Sequence, residues 1–334
     1  SNKQISEKKK ILVSGAAGFI GSNLVAALAA RGSTDIVVCD YLGDENKWRN
    51  LAKHQVADII NPEELFDYLE QYCDSIDMIF HMGAVSSTTE TNVDFIIKSN
   101  FKLSLNLWNW CAVNQVGFIY ASSAATYGEL SAGFHDDGSC EALARLIPLN
   151  AYGWSKHLFD RRVARLVFEG AKKPPQWAGL KFFNVYGPNE FHKSHMRSII
   201  LKIFQTISKN NYVKLFKSHH PHYKDGEQMR DFIYVKDVIN IIKWFVDNKN
   251  INGIYNVGTG KPRSFHDLAV SVFKNSNKKN KIVFIDTPKN IREQYQYYTK
   301  ANIKKLRNAG YKRNFFSLED GIKDYIRNHL IINL

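Results

Sequence analysis

Tyr152-Gly153-Trp154-Ser155-Lys156 sets a phenol and an ammonium four residues apart, the spacing that puts both on one face of a helix, one turn from each other. A free tyrosine, with a pKa of about 10, is a poor base at neutral pH; an adjacent cation favours the phenolate and lets it take a hydroxyl proton as hydride leaves the same carbon. Ser123 lies in Tyr120-Ala121-Ser122-Ser123-Ala124-Ala125-Thr126-Tyr127-Gly128, at the end of a strand pattern, where loop hydroxyls of such sheets face the ligand crevice and can donate to a substrate oxygen. Ser123, Tyr152 and Lys156 are therefore candidate catalytic residues for reversible oxidation of an alcohol.

That chemistry needs a hydride acceptor, and a glycine turn offers a place for one. Ile11-Leu12-Val13-Ser14 reads as a strand that runs into Gly15-Ala16-Ala17-Gly18-Phe19-Ile20-Gly21 and then a helix over 22–31. Gly15 permits the bend, Gly18 lets backbone amides approach a pyrophosphate, and Gly21 allows close helix–strand packing, with the helix N-terminus stabilising the phosphate charge. A second apolar run, 35–40, ends at Asp40, which would accept hydrogen bonds from an adenosine ribose and so favour NAD. Lys47 pulls the other way: with the loop 41–48 folded over the ribose it would neutralise a 2′-phosphate and make NADP acceptable.

The elements needed to position these groups are legible. Strand patterns at 77–81, 117–122 and 179–185 alternate with amphipathic helical patterns at 62–72, 92–113 and 155–168, which predicts an α/β fold, a Rossmann doubly wound parallel sheet. After Pro188 the rhythm changes to mixed helices and short strands at 213–216, 230–235, 253–257 and 281–285, a smaller mixed α/β C-terminal substrate lobe. The expected division is an NADP-binding Rossmann domain over 10–187, with a strand and helices contributed by 231–260, and a mainly substrate-binding lobe over 188–330. The polar stretch 217–229 reads as a surface loop; its His219, His220 and His222 fix no tetrahedral arrangement, and no metal is expected.

The chain of 334 residues is 44% hydrophobic and 23% charged, a balance that suits a globular protein and excludes collagen-like or wholly disordered classes. A net charge of +13 suits any anionic partner. No nucleic-acid-binding signature accompanies it, and the aromatics fall in core patterns, so nucleic acid is not an expected partner. Cys39, Cys73, Cys111 and Cys140 form no CxxC pair, which argues against zinc and a disulfide framework and for a reducing compartment. With no run of about 18 apolar residues and no apolar segment in 1–10, no membrane is expected and the predicted location is cytoplasmic.

The Gly15 turn, the Ser123 strand end and the Tyr152/Lys156 pair, in that order, resemble the extended short-chain dehydrogenase/reductase (NAD-dependent epimerase/dehydratase) family across most of the chain. His81-Met82-Gly83-Ala84-Val85-Ser86-Ser87-Thr88-Thr89-Glu90, Ala121 to Gly128, Phe183-Asn184-Val185-Tyr186-Gly187-Pro188 and Arg230-Asp231-Phe232-Ile233-Tyr234-Val235 resemble its 6-epimerases of ADP-linked heptoses. The resemblance implies a held NADP that oxidises the heptose at C6″ and returns hydride to the opposite face, for lipopolysaccharide inner core synthesis. It implies cofactor contacts at Phe19, Ile20, Asp40, Tyr41, Lys47, Met82, Gly83, Ala84, Val85, Ser86, Ser99, Lys156, Val185 and Lys193. It places Ser123, Asn184, His195, Lys202, Phe216, Arg230 and Tyr295 at the substrate, and it implies a homo-oligomer, commonly a pentamer. Inversion needs proton transfer on either face of the carbon, and Lys193 matches the family's second catalytic lysine. Arg230 also has a chemical rationale, since a guanidinium can grip a diphosphate bidentately. Around Lys193 the family usually has Gly-His-Lys-Gly-Ser, whereas this chain has Phe191-His192-Lys193-Ser194-His195.

Three alternatives share the frame. A 4,6-dehydratase would need a carboxyl acid and base directly after the catalytic hydroxyl, where this chain has Ala124 and Ala125. A nucleotide-sugar 4-epimerase can rotate its ketone so that one tyrosine serves both faces, leaving Lys193 incidental. A non-catalytic NADP-sensing or RNA-binding relative would typically lose Tyr152 or Lys156, and both are present.

Overall fold

Short β-branched runs bounded by turns form the strands of the first unit, and they are buried on both faces because helices cover the sheet. The computed structural model describes residues 9–85, 90–128, 133–292 and 297–333. Two units are distinguished, one made of residues up to Phe182 together with Ile242–Asn256, the other of Phe183–Ile241 and the residues from Val257 onward.

In chain order the first unit runs β1 (Lys10–Ser14), α1 (Phe19–Ala30), β2 (Ile36–Cys39), β3 (Asp58–Ile60), α2 (Leu65–Gln71) and β4 (Ile76–His81). It continues through α3 (Val93–Ile97), a π-helical turn (Lys98–Lys102), α4 (Leu103–Asn114), β5 (Gly117–Ser123), α5 (Cys140–Leu143), α6 (Ala151–Phe168) and β6 (Trp177–Phe182). The next segment carries β7 (Asn184–Tyr186), α7 (Ile199–Asn210), β8 (Val213–Phe216), β9 (Met229–Arg230), β10 (Phe232–Tyr234) and α8 (Val235–Asp247), which leads to β11 (Gly253–Val257). Then come β12 (Arg263–Ser264), α9 (Phe265–Asn275), β13 (Ile282–Ile285), α10 (Lys289–Arg292), α11 (Lys304–Ala309) and α12 (Leu318–Tyr325).

The seven-stranded sheet has the order β11-β6-β5-β4-β1-β2-β3, and β1 pairs in parallel with both β2 and β4. The chain begins in mid-sheet, steps outward to β3, and returns to the other side of β1, so the strand order reverses between β1 and β4. Ligands of such sheets bind outside the strand ends at that reversal. Here the ends are Ser14 and His81, which stand opposite each other in the register. Trp108 anchors the core beneath, its ring edge-on to Trp177 at 5.4 Å and to Phe118 at 6.2 Å. Burying such a side chain contributes about 1.5–3 kcal/mol or more.

Two strand expectations change in detail, and two short strands are added. The run 179–185 is two strands, β6 and β7, separated at Phe183, whose amide bonds Val257. The run 230–235 breaks at Asp231, whose carboxylate accepts the amides of Thr259, Gly260 and Ala301 and the Thr259 hydroxyl. Asp58–Ile60 and Arg263–Ser264 are additional short strands. In the second unit β7 pairs in parallel with β10 and β8 with β13, while β9 and β12 are antiparallel.

Candidate active site

Between β1 and α1 the backbone turns at Gly15, with φ +63°, and a Cβ there would meet the Gly83 backbone at 2.5 Å. A Cβ on Gly21 would strike the Gly15 carbonyl, so the third glycine keeps the helix against the turn itself. Gly18 caps α1 with no side-chain bond, and the first turn holds no acid, so nothing negative competes with an anion at this helix N-terminus. Asp40 accepts the Ala17 amide on Oδ2 at 2.9 Å and the Lys47 ammonium on Oδ1 at 2.9 Å. Lys47 therefore does fold back over the acid, and their charges cancel locally.

A cavity of about 350 Å³ opens beside this turn, and Gly15, Asp40, Tyr41, Lys47, Gly83, Ala84, Val85 and Ser99 line it. Its largely apolar wall, with Asp40 and Lys47 set in it beside a helix N-terminus, fits the nucleoside half of a dinucleotide. Gly18, Phe19, Ile20, Gly21 and Met82 lie in the adjoining turn, helix start and strand end rather than in the cavity wall. Lys98, Phe95 and His81 also line it and were not anticipated; His81 ends β4, and Phe95 and Lys98 lie in the helical stretch that follows. Ser86 falls outside the described residues.

Asn150 caps α6 by accepting the Gly153 amide at 2.7 Å, and the helix then carries Tyr152 and Lys156 on one face, as their spacing predicts. Ser123, at the end of β5, hydrogen-bonds the Tyr152 phenol, which favours the phenolate, while burial, the larger effect, pushes the phenol up. Lys156 is buried and donates to the Ala121 carbonyl at 2.8 Å. Burial pushes its ammonium down to about 8, and the charge of Asp160 opposes that fall. The hydroxyl of Ser123 is thus the direct influence on the phenol, ahead of the neighbouring cation expected from the sequence.

A line of hydrogen bonds, invisible in the sequence, joins the glycine turn to this helix. Ser14 Oγ accepts the Gly83 amide and lies 2.6 Å from His81 Nδ1; His81 Nε2 lies 2.8 Å from Ser104 Oγ, which donates to the Asn100 carbonyl. With the Ser104 proton so committed, the neutral ring donates from Nε2 and accepts from Ser14. Asn100, fully buried in the π-helical turn, accepts the Val85 amide and donates to the Val85 carbonyl and to Ser155, whose hydroxyl donates to the Tyr152 carbonyl. A π turn shifts side-chain directions by one residue, which is why Asn100 and not its neighbour Ser99 reaches inward.

In the second unit, Lys193 sits in a 3-10 segment (Phe191–Met196) held by Glu190. The Glu190 carboxylate accepts the amides of Gly187 and Ser198 and the hydroxyls of Ser198 and Tyr325, and its carbonyl accepts the Lys193 amide. Burial pushes the Lys193 ammonium down, and the Glu190 charge opposes it. Ser194 adopts φ 53°, ψ −123°, a conformation that suits glycine. Asn184 and Val185 lie on β7, Phe216 ends β8, and Lys202 is exposed on α7, as is His195 in the 3-10 segment. Arg230 lies over the Phe265 ring at 5.3 Å and donates to the Met229 carbonyl. Tyr295 falls outside the described residues.

Residues 11–258 match the NAD dependent epimerase/dehydratase family. A protein of Fusobacterium nucleatum subsp. nucleatum named ADP-L-glycero-D-manno-heptose-6-epimerase is 45% identical over 328 residues, covering 96% of this chain and 98% of its own. One of the same name from Thiobacillus denitrificans is 38% identical over 96% of this chain and 98% of its own. The crystal structure of the Helicobacter pylori enzyme so named superposes with a TM-score of 0.80 at 29% identity, over 98% of each chain. The Thermus thermophilus UDP-glucose 4-epimerase complex with NAD, 23% identical with a TM-score of 0.73 over 96% of this chain and all of its own, shares the fold. Given the glycine turn, the Ser123–Tyr152 hydrogen bond and a match extending over most of its length, the chain belongs to the NAD dependent epimerase/dehydratase family.

Proposed function

We propose that this protein inverts C6″ of ADP-D-glycero-D-manno-heptose to give ADP-L-glycero-D-manno-heptose, by transient oxidation and reduction with a bound nicotinamide dinucleotide, as a step toward the lipopolysaccharide inner core. The observation that carries the reading is the Tyr152 phenol hydrogen-bonded to Ser123, in a chain 45% identical over nearly its whole length to an enzyme of that name. The dinucleotide, when bound, supplies a hydride acceptor and donor. Tyr152 takes the proton of the C6″ hydroxyl, and Ser123 orients that oxygen. Lys156 holds the nicotinamide ribose and keeps a positive charge near the phenol. Lys193, with its ammonium depressed by burial, exchanges the proton on the opposite face. Arg230 and its neighbours in the second unit take the diphosphate.

Neutralisation of Asp40 by Lys47 supports NADP over NAD, because a 2′-phosphate then meets a cation rather than a bare carboxylate. Lys47→Ala should weaken NADP binding by about tenfold or more relative to NAD, the scale of one charge-assisted hydrogen bond; fluorescence titration with both cofactors measures the ratio. Assembly as a cytoplasmic homo-oligomer belongs to the same reading and is checked by light scattering.

The deciding assay incubates purified protein with ADP-D-glycero-D-manno-heptose and, separately, with UDP-glucose, and resolves the epimers. Conversion of the heptose is expected; conversion of UDP-glucose alone would overturn the substrate. Lys193→Ala should lose inversion at C6″ by about 10²–10⁴-fold, and turnover like the parent's would remove Lys193 from the mechanism.

A further inference from the structure

Beneath Lys156 lies an ion pair that the proposed reaction does not use. Asp160, one helical turn beyond Lys156, is fully buried and accepts the Tyr120 hydroxyl on Oδ1 at 2.8 Å and the Ser122 hydroxyl on Oδ2 at 2.7 Å. Lys181 on β6, opposite Ser122 in the register and equally buried, brings its Nζ to 3.8 Å from Oδ2. That ammonium also stands 4.3 Å from the Tyr127 ring centre. Ala121, whose carbonyl accepts a hydrogen bond from the Lys156 ammonium, lies between the two strand residues that bond Asp160. One ammonium thus contacts a dry carboxylate, and a second, one helical turn away, lies within reach of its charge.

A buried ion pair is weak as a stabiliser, since desolvating both charges offsets most of their attraction and an apolar pair of similar volume would do as well. What an apolar pair would not do is act on a third charge at a distance. We propose that Asp160 and Lys181 are positioning residues that set the charge state of Lys156, the carboxylate holding its ammonium and Lys181 limiting that hold. The proposal deepens the epimerase reading and rests on it for the role of Lys156. The groups around the carboxylate are Lys156 on its own helix, Tyr120 and Ser122 on β5, Lys181 on β6 and Tyr127 beyond β5. Lys156 also feels His81 from β4, which stays neutral. Burial pushes Asp160 up, with Lys181 the foremost of the groups that oppose it. Tyr120 and Tyr127, both pushed far up by burial, stay un-ionised.

The signs differ between the two partners, which separates this role from a merely structural one. In Asp160→Asn the ammonium of Lys156 loses its counter-charge and should give up its proton at lower pH. In Lys181→Met the carboxylate acts on Lys156 alone, and the proton should be held to higher pH. Asp160→Glu should restore the parent's behaviour. Carbon NMR of the full-length protein labelled at lysine Cε, with the Lys156 signal assigned by its loss in Lys156→Arg, follows the titration without substrate. A midpoint at least one pH unit lower in Asp160→Asn and higher in Lys181→Met is expected. The alkaline limb of kcat for heptose inversion should move the same way, with Asp160→Asn at least tenfold below the parent at pH 8.5 and within threefold at pH 6.5.

Coincident midpoints in folded variants, or a shift of both in one direction, would overturn the proposal. If Asp160→Asn does not fold, the direction of the Lys181→Met shift decides alone. Midpoints that move as stated in a parent that inverts no heptose would leave the ion pair's role standing and reject the epimerase reading. A parent that inverts heptose while the midpoints stay fixed would do the reverse.

Discussion

Two opposed influences set the acidity of the Tyr152 phenol, burial that raises its pKa and the Ser123 hydrogen bond that lowers it. Ser123→Ala removes the second alone, so the phenolate forms only at higher pH. The acid limb of kcat should move upward, and turnover at neutral pH should fall by about 10–100-fold, near the lower end of what a positioned proton-transfer group contributes; kcat measured across pH checks both. Tyr152, Lys156, Ser123 and Gly15 were legible because their signals are local, an i, i+4 spacing or a bend that only glycine makes easily. Asn100, His81 and Asp160 were not legible. Each is defined by partners far along the chain, and a lone Asn, His or Asp inside a helix or strand pattern carries no mark of the bonds that tertiary structure will give it. Ser99 was singled out and lines the cavity, whereas its neighbour Asn100, which makes the inward bonds, was not, since a π turn cannot be read from apolar periodicity.

At the level of elements, the sheet followed from its apolar runs, and β8 and β11 coincide with the expected boundaries. The departures arise where a polar contact overrides the pattern: at Phe183, where the chain bonds Val257 and changes partner strand, and at Asp231, whose carboxylate draws in three amides. The strand Asp58–Ile60 escaped notice because it is three residues long and buries only Ile60. The Lys193 segment gives a direct test. Ser194 occupies backbone space in which a side chain costs about 1–3 kcal/mol. Ser194→Gly should therefore raise the stability of the second unit by about 1 kcal/mol, read as a higher denaturant midpoint; an unchanged or lower midpoint would show that neighbouring bonds already offset the strain.

For the molecule as a whole, two imidazoles set a dependence on acid. Burial, aided by the Lys156 charge, pushes His81 down to about 3; burial, with Lys181 and Arg161, pushes His157 down to about 4. An unfolded chain protonates each near 6.5, so between that value and 3 to 4 the unfolded state binds more protons, and stability falls as the pH falls. Melting temperature should drop steadily from pH 7 to pH 5, and His81→Gln, which can accept from Ser14 and donate to Ser104 without titrating, should flatten the slope. Among the described residues no helix is long and apolar enough to cross a membrane. In the loop with His219, His220 and His222, the His220 ring packs on those of His222, Tyr223 and Tyr297, and the His219 amide donates to the Tyr297 hydroxyl. The same neutral His81 has a second consequence. Ser14, the ring and Ser104 each spend a single proton in the same sense, away from the first strand and toward the helix bearing the phenol, so the file of bonds has a polarity. Such a file can be reversed only as a unit. A proton added to the ring would turn Nδ1 from acceptor to donor against a serine already facing it, and the conflict would begin at the glycine turn and end at the Tyr152 carbonyl.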